Sequence, residues 1–287
     1  MSEIDLHVHT TASDGSMSPA EVVRYAKEKR LRAIAITDHD TVEGLEEAIR
    51  EGDRTKIEVI PGVEVSVDFP RGTMHLLGYY IDPNCSAFIE KLKIVQKARE
   101  ERNLKMVKKL HTLGVKIELA EVASIAEDGQ IGRPHFARIM VQKKYAKTIQ
   151  EAFDKFLRKG GPAYVEKFRF SPEEAMKCIT TAQGLSALAH PFTLNQRNKN
   201  ELETLLLELK EKGLEGIEVH YPEHSKEQIE LYQYLAYKDG FFIAGGTDFH
   251  GLNKEGVDLG EGYGDMELPY SLVEAIKVRR KIRFKKG

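Results

Sequence analysis

The sequence predicts an α/β fold, a TIM-like (β/α) barrel with an inserted helical subdomain. Short β-rich runs alternate with capped helical patterns along most of the 287 residues. About seven such strands can be marked out, most of them followed by a helix. From about residue 88 to residue 159 that rhythm stops, and long Lys/Arg/Glu-rich helical patterns replace it. A doubly wound open sheet fits the same periodicity and stays open at this point.

Ile4–Val8 reads as the first strand. Ser18-Pro19-Ala20-Glu21 then opens a helix: Ser18 caps it, Pro19 takes the first helical position, and Glu21 closes a capping box. Ala33–Thr37 is a short buried strand, and Thr41–Arg50 is predicted helical. Ile57–Val67 is a β-rich run interrupted by Pro61-Gly62; after the turn at residues 69–73, Met74–Tyr80 completes a hairpin with it. Gly114, Gly129 and Gly132 punctuate the helical stretch that follows. Ser171-Pro172-Glu173-Glu174 is a second capping box, and strands return at Leu185–Ala189, Gly216–Val219 and Phe241–Ala244. Helices near Glu201–Lys212 and Lys226–Lys238 separate them, and a last helix starts at Ser271. The chain is thereby divided into a barrel domain, residues 1–90 and 160–287, and a helical cap, residues 91–159.

The net charge of −2 hides an asymmetry. Residues 91–159 hold 17 Lys/Arg against 8 Asp/Glu, a net of +9, so the remainder is acidic. A basic block beside an acidic body suits one part facing phosphates and another holding cations. Cys85 and Cys178 stand far apart and outside any Cys-x-x-Cys pattern, so a disulfide framework is not expected and a cytoplasmic location is. The first residues carry no signal-peptide pattern, and no apolar run reaches the roughly 20 residues that cross a bilayer. No membrane association and no obligate protein partner are expected.

Metal-capable side chains cluster where the predicted strands end: His7, His9 and Asp14; Asp38, His39 and Asp40; Glu64; His75; His190; Glu218 and His220; Asp248 and His250. Eight of the ten histidines fall at or just beyond a strand, all but His111 and His135. Barrel enzymes gather their catalytic groups at the C-terminal strand ends, drawn from several strands. In a strand, residues i and i+2 point the same way, so His7 and His9 can reach one ion. Imidazole suits zinc, iron and manganese, carboxylates bridge ions, and divalent cations offset the cost of burying acids. Singly, each residue reads as an ordinary strand-end side chain; together they point to a metal centre.

Five segments carry a family resemblance: Asp5-Leu6-His7-Val8-His9-Thr10, Thr37-Asp38-His39-Asp40, Pro61-Gly62-Val63-Glu64, Ala189-His190-Pro191 and Thr247-Asp248-Phe249-His250. In this order they resemble the successive motifs of the polymerase-and-histidinol-phosphatase (PHP) family. The insert bearing Gly132-Arg133-Pro134-His135 resembles that family's bacterial nucleoside 3′,5′-bisphosphate phosphatase and 5′-to-3′ exoribonuclease branch. The resemblance implies a distorted seven-stranded barrel holding two to three divalent metals (Mn, Fe or Zn). It implies His7, His9, Glu64 and Asp248 around one ion, Glu64 shared with His75 and His190 around a second, and Asp14, His39 and His250 around a third. Many family members have a histidine where Asp14 stands. Asp38 precedes a ligand and is expected to support the site without binding an ion.

The expected chemistry is hydrolysis of a phosphate ester by a metal-bound hydroxide. Arg133, expected as the cap of a helix with Pro134 in its first turn, is the candidate contact for a second phosphate, aided by His135. His220 and His224 are candidate proton donors, and Arg197 is a further candidate phosphate contact. The substrate expected is a small phosphorylated nucleotide, such as a nucleoside 3′,5′-bisphosphate, or a short RNA 5′ end. The rivals are a histidinol-phosphate-type phosphatase, a non-catalytic metal-binding module, and a nucleic-acid binder using the basic insert.

Overall fold

The computed structural model describes residues 2–126, 130–196 and 198–284. Seven strands form one sheet in chain order: β1 (Ile4–Val8), β2 (Ala33–Ile36), β3 (Glu58–Val67), β4 (Met74–Tyr79), β5 (Leu185–Leu188), β6 (Gly216–His220) and β7 (Phe242–Gly245). β1–β2–β3 and β5–β6–β7 pair in parallel, whereas β4 runs antiparallel to both its neighbours. The sheet nearly closes: His9 N–H donates to the Phe249 carbonyl at 2.9 Å and Phe249 N–H to that of His7 at 3.2 Å. Near-closure selects the barrel over the open doubly wound sheet, and the antiparallel β4 distorts it.

Helices α1 (Pro19–Glu28), α2 (Leu45–Thr55), α7 (Pro172–Thr181), α8 (Lys199–Glu211) and α9 (Lys226–Asp239) follow strands or precede them, as (β/α) winding requires. The Ser18–Glu21 and Ser171–Glu174 boxes both form, and Ser225 with Gln228 adds a third. Strand residues divide with period two between two apolar clusters. Ile34 and Ile36 pack outward with Val22, Ala26 and Ala48 of the helical ring. Ala33 and Ala35 pack inward with Ile4, Leu6 and Leu77, joined by Val273 and Ile276 of α10 (Ser271–Phe284).

Between β4 and β5 lie α3 (Ser86–Thr112), α4 (Leu119–Ala126), α5 (Arg133–Gln142) and α6 (Ile149–Ala152) with its π-helical continuation at Phe153–Leu157. The first half of α3 packs on the barrel through Phe88, Leu92 and Val95. Its second half, Met106, Val107 and Leu110, joins Phe136, Met140 and Leu157 in a cluster of its own. Among the described residues no helix is long and apolar enough to cross a membrane.

Three local expectations are corrected. The helix expected from Thr41 begins at Leu45, because the Thr41 hydroxyl accepts from Glu43 N–H at 3.2 Å and holds a turn there. Pro61-Gly62 does not interrupt β3 but marks a change of partner: Pro61 is the last residue in register with β2, and Gly62 the first with β4. A Cβ on Gly62 would meet the carbonyl oxygens of Ile36 and Gly78 at 2.9 Å, so only glycine passes between the two neighbours. The cap before Pro134 is Gly132, with Arg133 already helical. Gly114 ends α3 in the left-handed region (φ 78°), and Gly129 lies outside the described residues.

Candidate metal centre and anion pocket

At the barrel end where the parallel strands finish and the antiparallel β4 begins, nine side chains form a cage. Glu64, buried on β3, is its centre. One carboxylate oxygen lies 2.9 Å from His39 Nδ1, 3.2 Å from His9 Nε2 and 3.4 Å from His7 Nε2. The other lies 2.7 Å from His75 Nδ1 and 2.9 Å from His190 Nε2. Asp248 Oδ1 is 3.1 Å from His9 Nε2 and 3.3 Å from His7 Nε2. Asp14 Oδ1 is 3.2 Å from His250 Nε2, and the His9 and His250 rings stack at 4.1 Å. Three sets have ligand atoms all within 4.8 Å of one another: His7, His9, Glu64 and Asp248; His9, Asp14, His39 and His250; and His39, Glu64 and His75.

Local folding explains the convergence. Register between β1 and β2 shifts between Asp5 and Val8. Gly246 lies where any Cβ would meet His7 Cβ at 2.4 Å, so the chain after β7 can close over His7. Asp248, His190 and Asp40 have φ of 53°, 27° and 53°. Such backbones are strained for non-glycine residues by about 1–3 kcal/mol each and collect at functional sites.

Buried carboxylates hold the cage residues from behind. Glu218, fully buried, accepts from His7 at Nδ1 (2.9 Å) and from the His190 N–H (2.7 Å). Asp5 accepts from Thr247 N–H at 2.9 Å and from Gly260 N–H at 2.9 Å. Asp38 accepts from Thr10 N–H (2.8 Å), Thr10 Oγ1 (2.7 Å) and Ser13 Oγ (2.6 Å), which fixes the loop bearing Asp14. The outer oxygen of Asp248 accepts from Lys254 Nζ and Tyr221 Oη, both at 2.9 Å.

The charges are mutually sustained. Burial pushes the His7 imidazole down, but Glu218, Asp248 and Glu64 more than reverse this and hold it well above its ordinary value. Burial would raise Glu64, yet His39, His75 and His7 keep it well below the usual carboxylate range. His75 is the exception: burial outweighs Glu64 and takes it down to about 4.

The residues fit divalent ions. His7 Nε2, His9 Nε2, His39 Nδ1 and Glu64 Oε2 are buried with no hydrogen-bond partner although they lie side by side. Buried polar atoms are rarely left this way, and four such atoms converging on one point suit a cation between them, which would displace the imidazole protons on binding. Imidazole and carboxylate donors match manganese, iron or zinc.

The cage opens onto a cavity of about 350 Å³ whose walls include Asp14, His39 and His75. Seven cations also line it, Arg99, Arg102, Arg133, Arg158, Lys159, Lys167 and Arg169, among neutral groups such as Val67, Phe69 and Tyr164. Arg102 is 5% exposed, and no carboxylate pairs with it or with Arg133 among the described residues. Nε of both Arg99 and Arg102 is buried without a partner. Burial beside Arg99, Arg133 and Arg169 pulls the Arg102 guanidinium far below its ordinary range.

The structure thus brings His7, His9, Asp14, His39, Glu64, His75, His190, Asp248 and His250 together. Arg133 reaches the cavity wall, with one guanidinium N–H donating to the Leu157 carbonyl at 3.1 Å. His135 is buried and its Nδ1 accepts from Gly132 N–H at 3.1 Å, so it braces the helix start. His220 makes no hydrogen bond or ion pair with the cage, and burial pushes it down. His224 lies apart: its ring packs against Phe192, Tyr221 and Tyr232, and its Nδ1 is bonded to the Val219 carbonyl at 2.9 Å. Burial takes it down to about 4, so at neutral pH its ring is uncharged, which argues against it as a donor. Arg197 lies outside the described residues. Sequence reasoning singled out none of Arg99, Arg102, Arg158, Lys159, Lys167 and Arg169; the first four lie in the basic block of residues 91–159, and Arg99 and Arg102 stand three apart on a helix.

Fold and cage together define a barrel protein with a histidine–carboxylate metal centre. The chain belongs to the PHP domain family, whose profile matches residues 5–251. It is 34% identical over 268 residues to a 3′,5′-nucleoside bisphosphate phosphatase of Chromobacterium violaceum, covering 91% of each chain. It is 31% identical over 249 residues to a 5′-3′ exoribonuclease of Haemophilus influenzae, covering 86% of this chain and 89% of the relative. A solved structure from Chromobacterium violaceum, described as an amidohydrolase with bound sulfate and no metal, matches with a TM-score of 0.86 at 32% identity over 97% of both chains. The enzyme class follows from the family: the chain is a hydrolase of phosphate esters.

Proposed function

We propose that the chain is a metal-dependent phosphatase for nucleotides that carry two phosphates, a nucleoside 3′,5′-bisphosphate or the 5′ end of a short RNA. One observation carries this reading: the cage shares Asp14, His39 and His75 with a cavity lined by seven cations. A phosphate ester cleaved at the cage needs neutralising charge only there. Unpaired, buried guanidiniums next door are costly unless a ligand anion meets them. A histidinol-phosphate-type substrate has no second anion to offer. The named relatives, a nucleoside bisphosphate phosphatase and an exoribonuclease, support the same substrate class.

We assign two to three ions (Mn, Fe or Zn) to the cage. His7, His9, Glu64 and Asp248 would hold one; Glu64, His75 and His190 a second; Asp14, His39 and His250 a third. When bound, they supply a water acidified to near neutral pKa and positive charge on the phosphate oxygens. The protein's own groups do the rest. Glu218 keeps His7 presenting Nε2. Arg102 and Arg133 bind and orient the uncleaved phosphate, with His135 holding the turn that carries Arg133. His220, half-buried at the end of β6, is kept as the candidate proton donor to the leaving oxygen. Residues 1–90 and 160–287 would act as the catalytic barrel and residues 91–159 as the cap over the second phosphate.

The test is phosphate release from nucleoside 3′,5′-bisphosphates and from the matching 3′- and 5′-monophosphates, by the metal-loaded wild type and by Arg133→Ala. The wild type should prefer two phosphates, and Arg133→Ala should lose most of that preference. An equal loss on all substrates removes the argument for a second-phosphate pocket.

A further inference from the structure

His39 faces the cage; its neighbour Asp40 faces the other way. The Asp40 carboxylate is fully buried and sits on a left-handed backbone of φ 53°. One oxygen accepts from Ser66 N–H at 2.9 Å. The other accepts from Ser66 Oγ at 3.2 Å, from Lys167 Nζ at 3.1 Å and from the Arg99 guanidinium. The Asp40 carbonyl accepts from Gln96 Nε2 at 3.0 Å. Gln96 and Arg99 belong to α3, which leaves the barrel; Lys167 belongs to the segment that returns to it. One acidic residue therefore ties α3 and the returning segment to β3, one peptide bond from the cage.

A structural salt bridge would end there. Here the two cations also line the cavity beside the cage, while Asp40 does not. The carboxylate holds them from behind, and Arg99 Nε keeps no partner of its own. A buried ammonium without a counter-ion gives up its proton instead of staying charged. Burial and Arg99 already take Lys167 down to about 7, and Asp40 is what opposes them.

We infer that Asp40 is a positioning residue for the substrate's second anionic group: it sets the place and the charge of Arg99 and Lys167, and so the separation between the cage and the second-phosphate pocket. This rests on the two-phosphate reading above. Removing the carboxylate's charge releases the Arg99 tether and leaves Lys167 mostly neutral at pH 7. The cavity then loses one cation and the fixed position of another.

The test uses the metal-loaded full chain as wild type, Asp40→Asn, Lys167→Met and the double variant. It reads kcat and KM on a nucleoside 3′,5′-bisphosphate and on the matching monophosphates, with bound metal measured after dialysis. Each single variant should raise KM for the bisphosphate by about tenfold, with a smaller change in kcat and metal content retained. Because Asp40 acts largely through Lys167, the double variant should fall well short of the product of the two single effects. Loss of metal in Asp40→Asn, or an equal loss on both substrate types, would overturn the inference and make Asp40 a support for His39. A wild type with no preference for two phosphates would instead sink the two-phosphate reading, and this inference with it. Should Asp40→Asn not fold, Lys167→Met decides: an unchanged bisphosphate KM refutes the positioning role.

Discussion

Glu218→Gln is the sharpest perturbation of the cage that leaves every ligand in place. The carboxylate makes two bonds that pull in one direction: it accepts from His7 at Nδ1 (2.9 Å) and from the His190 backbone N–H (2.7 Å). A glutamine can satisfy only one of them. If its carbonyl oxygen keeps the His190 N–H, its NH₂ group meets His7 Nδ1 and forces the ring to carry its proton on Nε2. That is the atom 3.3 Å from Asp248 and 3.4 Å from Glu64, and a protonated Nε2 has no lone pair for a metal. If the amide is turned over, two donors face each other at His190, in a site with no exposed surface, which costs about 1–3 kcal/mol. Carboxylates behind metal-binding histidines typically contribute 10–100-fold in metal affinity, or about 1.4–2.8 kcal/mol. The tautomer argument places this variant toward the upper end. Calorimetric titration of the metal-free variant with manganese and zinc measures it, with melting curves to show that the fold survives. Wild-type affinity in a folded Glu218→Gln protein would refute the reasoning.

Two further outcomes follow from the cavity. Arg102→Met should stabilise the metal-loaded protein by about 1–4 kcal/mol while weakening catalysis on bisphosphates, because Arg102 is buried among like charges with no carboxylate partner; a lower melting temperature than wild type would contradict this. Lys167, pushed to about 7, should make bisphosphate affinity depend on pH. The protonated ammonium binds the anion, so KM should be lowest below pH 7 and rise as pH climbs above it, while Lys167→Arg, charged throughout, should flatten the profile. A KM equally flat in the wild type would exclude that role.

Much of the molecule was legible in the chain. The capping boxes at Ser18 and Ser171 are local hydrogen-bond patterns, complete within four residues, so they form as read. The strands were marked correctly because a barrel buries both faces of its parallel strands and leaves unbroken apolar runs such as Ala33–Ile36. The cage residues could be picked out because histidines and acids recur together at the ends of several separate strands, and the i, i+2 spacing of His7 and His9 is a local property of a strand.

What lies behind and beside the cage was not legible. Arg99, Arg102 and Lys167 look like ordinary charged residues in a chain with 31% of them, and Glu218 and Asp40 read as two more acids at strand ends and not as supports behind the cage. Their meaning comes from burial and from partners 28 to 211 residues away, which no local pattern records. β3 makes the same point. Pro61-Gly62 reads as a break, yet the strand runs through it, because only the packed barrel supplies the second neighbour to which Gly62 passes. Sequence alone determined the elements and the ligand types, because propensity, capping and side-chain chemistry act over a few residues. Tertiary structure decided which charges meet, which are left without a partner, and therefore where a second anion can be held, because electrostatic energy in a buried site depends on distances that only the closed fold sets.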